Sequence, residues 1–99
     1  MGWLLERRLT SVTRRLKAAR EDLAVTEEQL IQVRDEADDA ALRAITSDDQ
    51  SAPLDSNDAA RHRDALLRHR ADLLDAIAKL ETRQDELLDE FNQRSGGTP

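Results

Sequence analysis

The sequence predicts an all-α fold: a long antiparallel two-helix coiled-coil hairpin, expected to dimerise into a four-helix bundle. Three observations lead there. An apolar seam repeats every 3.5 residues through the first half of the chain. One loop-like interruption lies near the middle. Blocks of charge match in sign only when the chain doubles back on itself.

Composition sets the frame. Of 99 residues, 38% are hydrophobic, 2% aromatic and 36% charged. That is too little large apolar material for a compact globule. It suits long helices that bury a narrow stripe and solvate the rest. The absence of cysteine excludes disulfides, thiolate chemistry and zinc ribbons. No apolar run approaches the ~18 residues of a membrane span. The opening MGWLLERRL has too short an apolar core for a signal peptide. A cytoplasmic protein is the expectation. The net charge of −6 argues against direct nucleic-acid binding.

In the first helix, Leu5, Leu9, Val12, Leu16, Ala19, Leu23, Thr26, Leu30, Val33, Ala37, Ala40 and Ala44 follow alternating steps of four and three. Only Thr26 is polar. No Gly or Pro occurs between Trp3 and Ala52, so nothing breaks the helix early. It is placed at about residues 3–46, roughly 65 Å long. Its far end thins to alanine, which buries less area, so the tip should be narrower and less stable.

The loop is placed at about residues 47–55. Pro53 turns Ala52 away from helical geometry. Asp55 or Ser56 is expected to cap the next helix, with Asp58 in its first turn, where acids favour the helix dipole.

The second helix is placed at about 56–93, followed by a flexible tail over 95–99, so that one hairpin domain fills residues 1–94. Leu66, Leu73, Leu80 and Leu87 recur every seven residues, with Ile77 and Phe91 on the same stripe. Arg70 and Gln84 interrupt one flank. Leu67, Leu74 and Leu88 widen the stripe beyond what a two-helix seam needs, which points to further helices packed there.

Charge supports the pairing independently. Residues 3–20 carry +5, 21–40 carry −7, 58–70 carry +2 and 71–94 carry −4. Folding back about the loop sets opposite signs side by side in both halves. With the turn centred near residue 51, Leu16 should face Leu87, Val12 should face Phe91, and Thr26 should lie near Ile77. Trp3, Leu4 and Leu5 would then overhang, exposed and interaction-prone. A hairpin this thin needs reinforcement, and homodimerisation is the preferred form.

Chemistry is sparse. The glycines are all terminal, so no phosphate loop exists. His62 and His69 sit roughly 10 Å apart along the axis, too far to share one metal ion directly. They read as polar flanking residues, with a pH-responsive interface as the other reading. The Glu-x-x-His pattern of carboxylate di-metal bundles is missing. No catalytic residue, metal or cofactor is expected, and the chain is expected to bind protein partners rather than catalyse. The basic amphipathic segment GWLLERRLTSVTRRLKAAR could adsorb to an anionic membrane surface. The favoured reading is that its stripe simply starts the seam and its bases face the acidic end of the second helix.

The stretch Asp55-Ser56-Asn57-Asp58-Ala59-Ala60 has the spacing Asp-x-x-Asp-x-Ala. It resembles the coiled-coil tip of DksA-type transcription regulators. That resemblance implies a hairpin whose tip acids, here joined by Asp48 and Asp49, act on the metal in the RNA polymerase secondary channel. The family's cysteine zinc site and globular domain are missing. Arginine outnumbers lysine 13 to 2. The segment from Arg34 to Phe91 resembles small helical coiled-coil proteins of actinobacteria, which implies a bacterial cytoplasmic protein and carries no transferable activity.

Overall fold

The computed structural model describes residues 2–96, with side chains as far as Arg94. It is a helical hairpin. Helix α1 runs Gly2–Thr46 and helix α2 runs Ala52–Gly96, each of 45 residues. Residues 47–51 join them.

The loop is shorter than its composition predicts, and the reason is local. Asp49 makes an Asx turn: its Oδ1 accepts the Ser51 N–H at 3.0 Å and the Ser51 hydroxyl at 2.9 Å. The Asp49 carbonyl accepts the Ala52 N–H, and the Ser51 carbonyl accepts the Asp55 N–H, the first bond of α2. Helix α2 therefore starts at Ala52, not at Asp55 or Ser56. Pro53 sits in its first turn, where helical N–H groups have no intrahelical acceptor, so its missing donor costs nothing there. Asp55 and Asp58 lie inside the helix and do not cap it. On the other side, the Ser47 N–H completes α1 by bonding the Arg43 carbonyl, and the Thr46 hydroxyl donates to the Leu42 carbonyl at 2.8 Å. Among the described residues none has positive φ, so the reversal needs no glycine. At the other end, Ser95 and Gly96 belong to α2 rather than to a tail, and residues 97–99 of the expected tail lie outside the described residues.

The α1 seam is buried or half-buried at every predicted position. The α2 seam is Ala52, Ser56, Ala59, Arg63, Leu66, Arg70, Leu73, Ile77, Leu80, Gln84, Leu87 and Phe91, again in steps of four and three. Arg70 and Gln84 are thus members of the seam and not interruptions of a flank.

The chain divides into two compact units. The first unit contains the residues up to Asp22 and those from Leu73 onward. Its core is Leu5, Val12 and Leu87, with Leu9, Leu80 and Phe91 packed against it and Leu16 fully buried. Matching the two seams sets Leu5 against Phe91, Leu9 against Leu87, Val12 against Gln84 and Leu16 against Leu80. The bond from Gln84 Nε2 to Thr13 Oγ1 at 3.1 Å fits this register. The Arg20–Glu81 ion pair at 3.2 Å flanks the same seam. The expected pairing of Leu16 with Leu87 and Val12 with Phe91 is therefore corrected by one heptad, a shift that follows from the shorter loop. The same shift brings Phe91 over Leu5, which is 3% exposed. Leu5 is core and does not overhang.

The second unit spans Leu23–Asp72. Its layers set Thr26 against Arg70, not Ile77, and Leu30 against Leu66. Toward the loop, buried Ala37, Ala40 and Ala52 form the thin end that the sequence predicts. Thr26 is buried, and among the described residues no buried side-chain polar atom lacks a hydrogen-bond partner. Arg70 Nε donates to Glu27 Oε1 at 3.2 Å across the helices. This pair is half-exposed, so its worth is roughly 0–1 kcal/mol. A polar residue in an apolar seam contributes more to register than to stability.

Candidate interaction surfaces

The candidate residues fall into three environments. Leu5 is buried, as described above. Leu67, Leu74 and Leu88 occupy one heptad position of α2, each following a seam residue. Leu67 is half-buried in the second unit. Leu74 and Leu88, in the first unit, are 41% and 39% exposed. These are large apolar side chains that the two-helix seam covers only in part.

Trp3 and Leu4 lie elsewhere on the first unit. They are 57% and 41% exposed on the face of α1 turned away from the seam. The Arg7 guanidinium lies 5.6 Å from the centre of the Trp3 ring, a cation–π contact. Trp3, Glu6, Arg7, Thr10, Ser11 and Arg14 line a shallow hollow along this face. Of the bases between residues 3 and 20, Arg20 pairs with Glu81. Among the described residues, Arg7, Arg8, Arg14, Arg15 and Lys17 make no ion pair. Three acids of α2 are instead engaged within that helix, in Asp75–Lys79, Glu86–Arg83 and Glu90–Arg94 pairs. The expectation that the N-terminal bases face the acidic end of α2 is thus met by Arg20 alone. Arg7, Arg14 and Lys17 lie on the far side of the helix, whereas Arg8 and Arg15 adjoin the seam beside Leu9 and Leu16 without pairing there.

The tip acids Asp48, Asp49, Asp55 and Asp58 are all exposed in the second unit. Asp49 is engaged in the turn. The Ser51 N–H and then the Ser51 hydroxyl hold its carboxyl below the usual aspartate range. Leu42, Ile45 and Leu54, also exposed, share this end of the unit. No apolar period marks them, because they fall off the α1 seam or within the residues whose composition reads as loop. His62 lines a hollow with Gln29, Gln32, Val33 and Glu36. Among the described residues, no group of three or more His, Asp or Glu side chains is placed to hold a metal ion. Nor, among them, is any helix long and apolar enough to cross a membrane.

No protein-family model, curated protein or solved structure matches the chain.

Proposed function

We propose that this chain is a non-enzymatic scaffold or adaptor of the bacterial cytoplasm that pairs with a second copy of itself as a four-helix bundle and presents its remaining surfaces to protein partners. The observation that carries this reading is the half-covered leucine position of α2, Leu67, Leu74 and Leu88, beside a seam already filled by α1. Leucine at that position contributes little to a lone hairpin. Packed against another hairpin, it completes a core. The surface area supports the same reading. The chain exposes 7402 Å², against about 5,700 Å² for a compact monomer of this length. A specific interface of standard size buries roughly 800 Å² of each partner, about half of that excess.

Sedimentation equilibrium or light scattering tests the proposal. Twice the chain mass is expected at micromolar concentration. Leu67→Gln, Leu74→Gln and Leu88→Gln together should yield a monomer that keeps its helical circular dichroism. A wild-type chain that remains monomeric at several hundred micromolar refutes the bundle.

A further inference from the structure

We propose that the outer N-terminal face of α1 adsorbs to the surface of an anionic phospholipid bilayer, with Trp3 and Leu4 entering the headgroup layer and Arg7, Arg14 and Lys17 lying against the lipid phosphates. The argument starts from spacing. Trp3, Arg7, Thr10, Arg14 and Lys17 advance in steps of four and three. That is the rhythm of the seam, carried on the opposite side of the same helix. The stripe is about 21 Å long. Leu4 and Ser11 run beside it, and all seven of these side chains are exposed.

Charge supplies the second step. None of Arg7, Arg14 and Lys17 is neutralised by an ion pair among the described residues. They form a row of cations with Thr10 and Ser11 between them. Two acids adjoin the row: Glu6 at the edge of the hollow, and Glu21, four residues beyond Lys17, which makes no ion pair with it among the described residues. A positive stripe on a helix with a Trp and a Leu at one end is the composition that holds an amphipathic helix in a bilayer interface.

The arrangement favours a lipid surface over a nucleic acid. Stacking on single strands needs aromatic rings repeated among the cations. Here one ring stands at the end of the row beside an exposed leucine, as an interfacial anchor does. The whole chain carries −6 and residues 3–20 carry +5, so the remainder carries −11. Such a remainder repels a polyanion that tracks along the protein, whereas one helix face can still lie on a flat surface. Adsorption is peripheral, since among the described residues no helix can span. It uses side chains other than the α2 leucines and stands independently of the bundle.

The protein carries its own reporter, because Trp3 is its single tryptophan. The full chain is titrated at 0.1 M salt with vesicles of phosphatidylserine and phosphatidylcholine in a 3:7 ratio, and separately with phosphatidylcholine alone. Expected is a blue shift of Trp3 emission and co-sedimentation with the anionic vesicles only. Each basic residue near such a surface contributes about five-fold in affinity, so Arg7→Gln with Arg14→Gln should weaken binding about 30-fold. Arg61→Gln with Arg68→Gln, which removes the same charge from exposed sites of the other unit, should weaken it less than about three-fold. Both variants change exposed side chains, and unchanged circular dichroism shows them folded. Absence of a blue shift with anionic vesicles overturns the proposal, as does equal binding to neutral ones. An equal loss in both charge variants also overturns it. So does quenching of Trp3 by a single-stranded oligonucleotide under conditions where no vesicle binds, which would assign the face to nucleic acid.

Discussion

Leu87→Ala is the sharpest test of the core. Leu87 is 0% exposed and sits in the core cluster with Leu5 and Val12. Truncation removes three carbons, worth about 0.8 kcal/mol each as transfer energy, or about 2.4 kcal/mol. A cavity adds to this, and buried Leu→Ala changes span about 2.7–5.0 kcal/mol. The seam between two helices is open at its flanks, so Leu9 and Phe91 can close part of the gap. The lower end applies, about 3 kcal/mol, or about a 150-fold loss in the folding equilibrium. Leu42→Ala is the matched control. It makes the same change in a helix at a side chain that is 61% exposed, and should cost less than about 1 kcal/mol. Urea unfolding followed at 222 nm measures both, at one protein concentration so that any self-association cancels. If Leu87→Ala costs no more than Leu42→Ala, Leu87 is not in the core and the assignment of that cluster fails.

Further outcomes follow from the same geometry. Arg70→Leu with Gln84→Leu removes polar residues from the seam and gives up one half-exposed ion pair worth roughly 0–1 kcal/mol and the exposed Gln84–Thr13 hydrogen bond. Partial burial of two leucines outweighs that loss, so the melting temperature should rise by about 4–8 °C while sedimentation broadens toward mixed species. A lower melting temperature would contradict the polar-seam argument. Backbone amides of residues 37–44 and 52–59, in the alanine layers, should exchange with deuterium at least about ten-fold faster than those of residues 9–16 and 80–87. Equal protection would remove the distinction between thin and thick ends. Asp49 should titrate below the ordinary aspartate value in carboxyl NMR, and Ser51→Ala, which removes the hydroxyl but keeps the N–H, should bring it only part of the way back up. Because the folded carboxylate is the favoured form, its contribution is present above the unfolded aspartate pKa of about 3.9. It is lost as pH falls through the lower folded value. An unshifted Asp49 would refute the turn assignment.

The hairpin and the whole of the α1 seam are legible in the sequence because α1 places an apolar residue at nearly every seam position. The α2 seam is only partly legible. Ser56, Arg63, Arg70 and Gln84 belong to it, and polar residues carry no periodic apolar signal. Their role depends on what stands across from them, such as Thr13 and Glu27. The loop misled through Pro53. A proline at the second residue of a helix reads from composition like one inside a loop, and only the Asp49–Ser51 hydrogen bonds distinguish the cases. That small displacement moved the pairing by a full heptad, because the next register that keeps apolar faces together lies seven residues away. Leu5 was misplaced for the same reason. Trp3 and Leu4 were correctly read as exposed, but their setting among unpaired arginines depended on seeing where the acids of α2 find their partners.

Pro53 also bears on how the chain avoids its own copies during folding. Two helices of equal length with matched seams could in principle open at residues 47–51, straighten, and exchange halves with a neighbour while repeating the same layers. An uninterrupted helix through this region would press the Pro53 ring against the carbonyl of Asp49, four residues back, and lose a hydrogen bond there. That costs about 3 kcal/mol or more. In the first turn of α2 the same ring costs nothing. The proline thus works as a safeguard against domain swapping, biasing each newly made chain to close on itself.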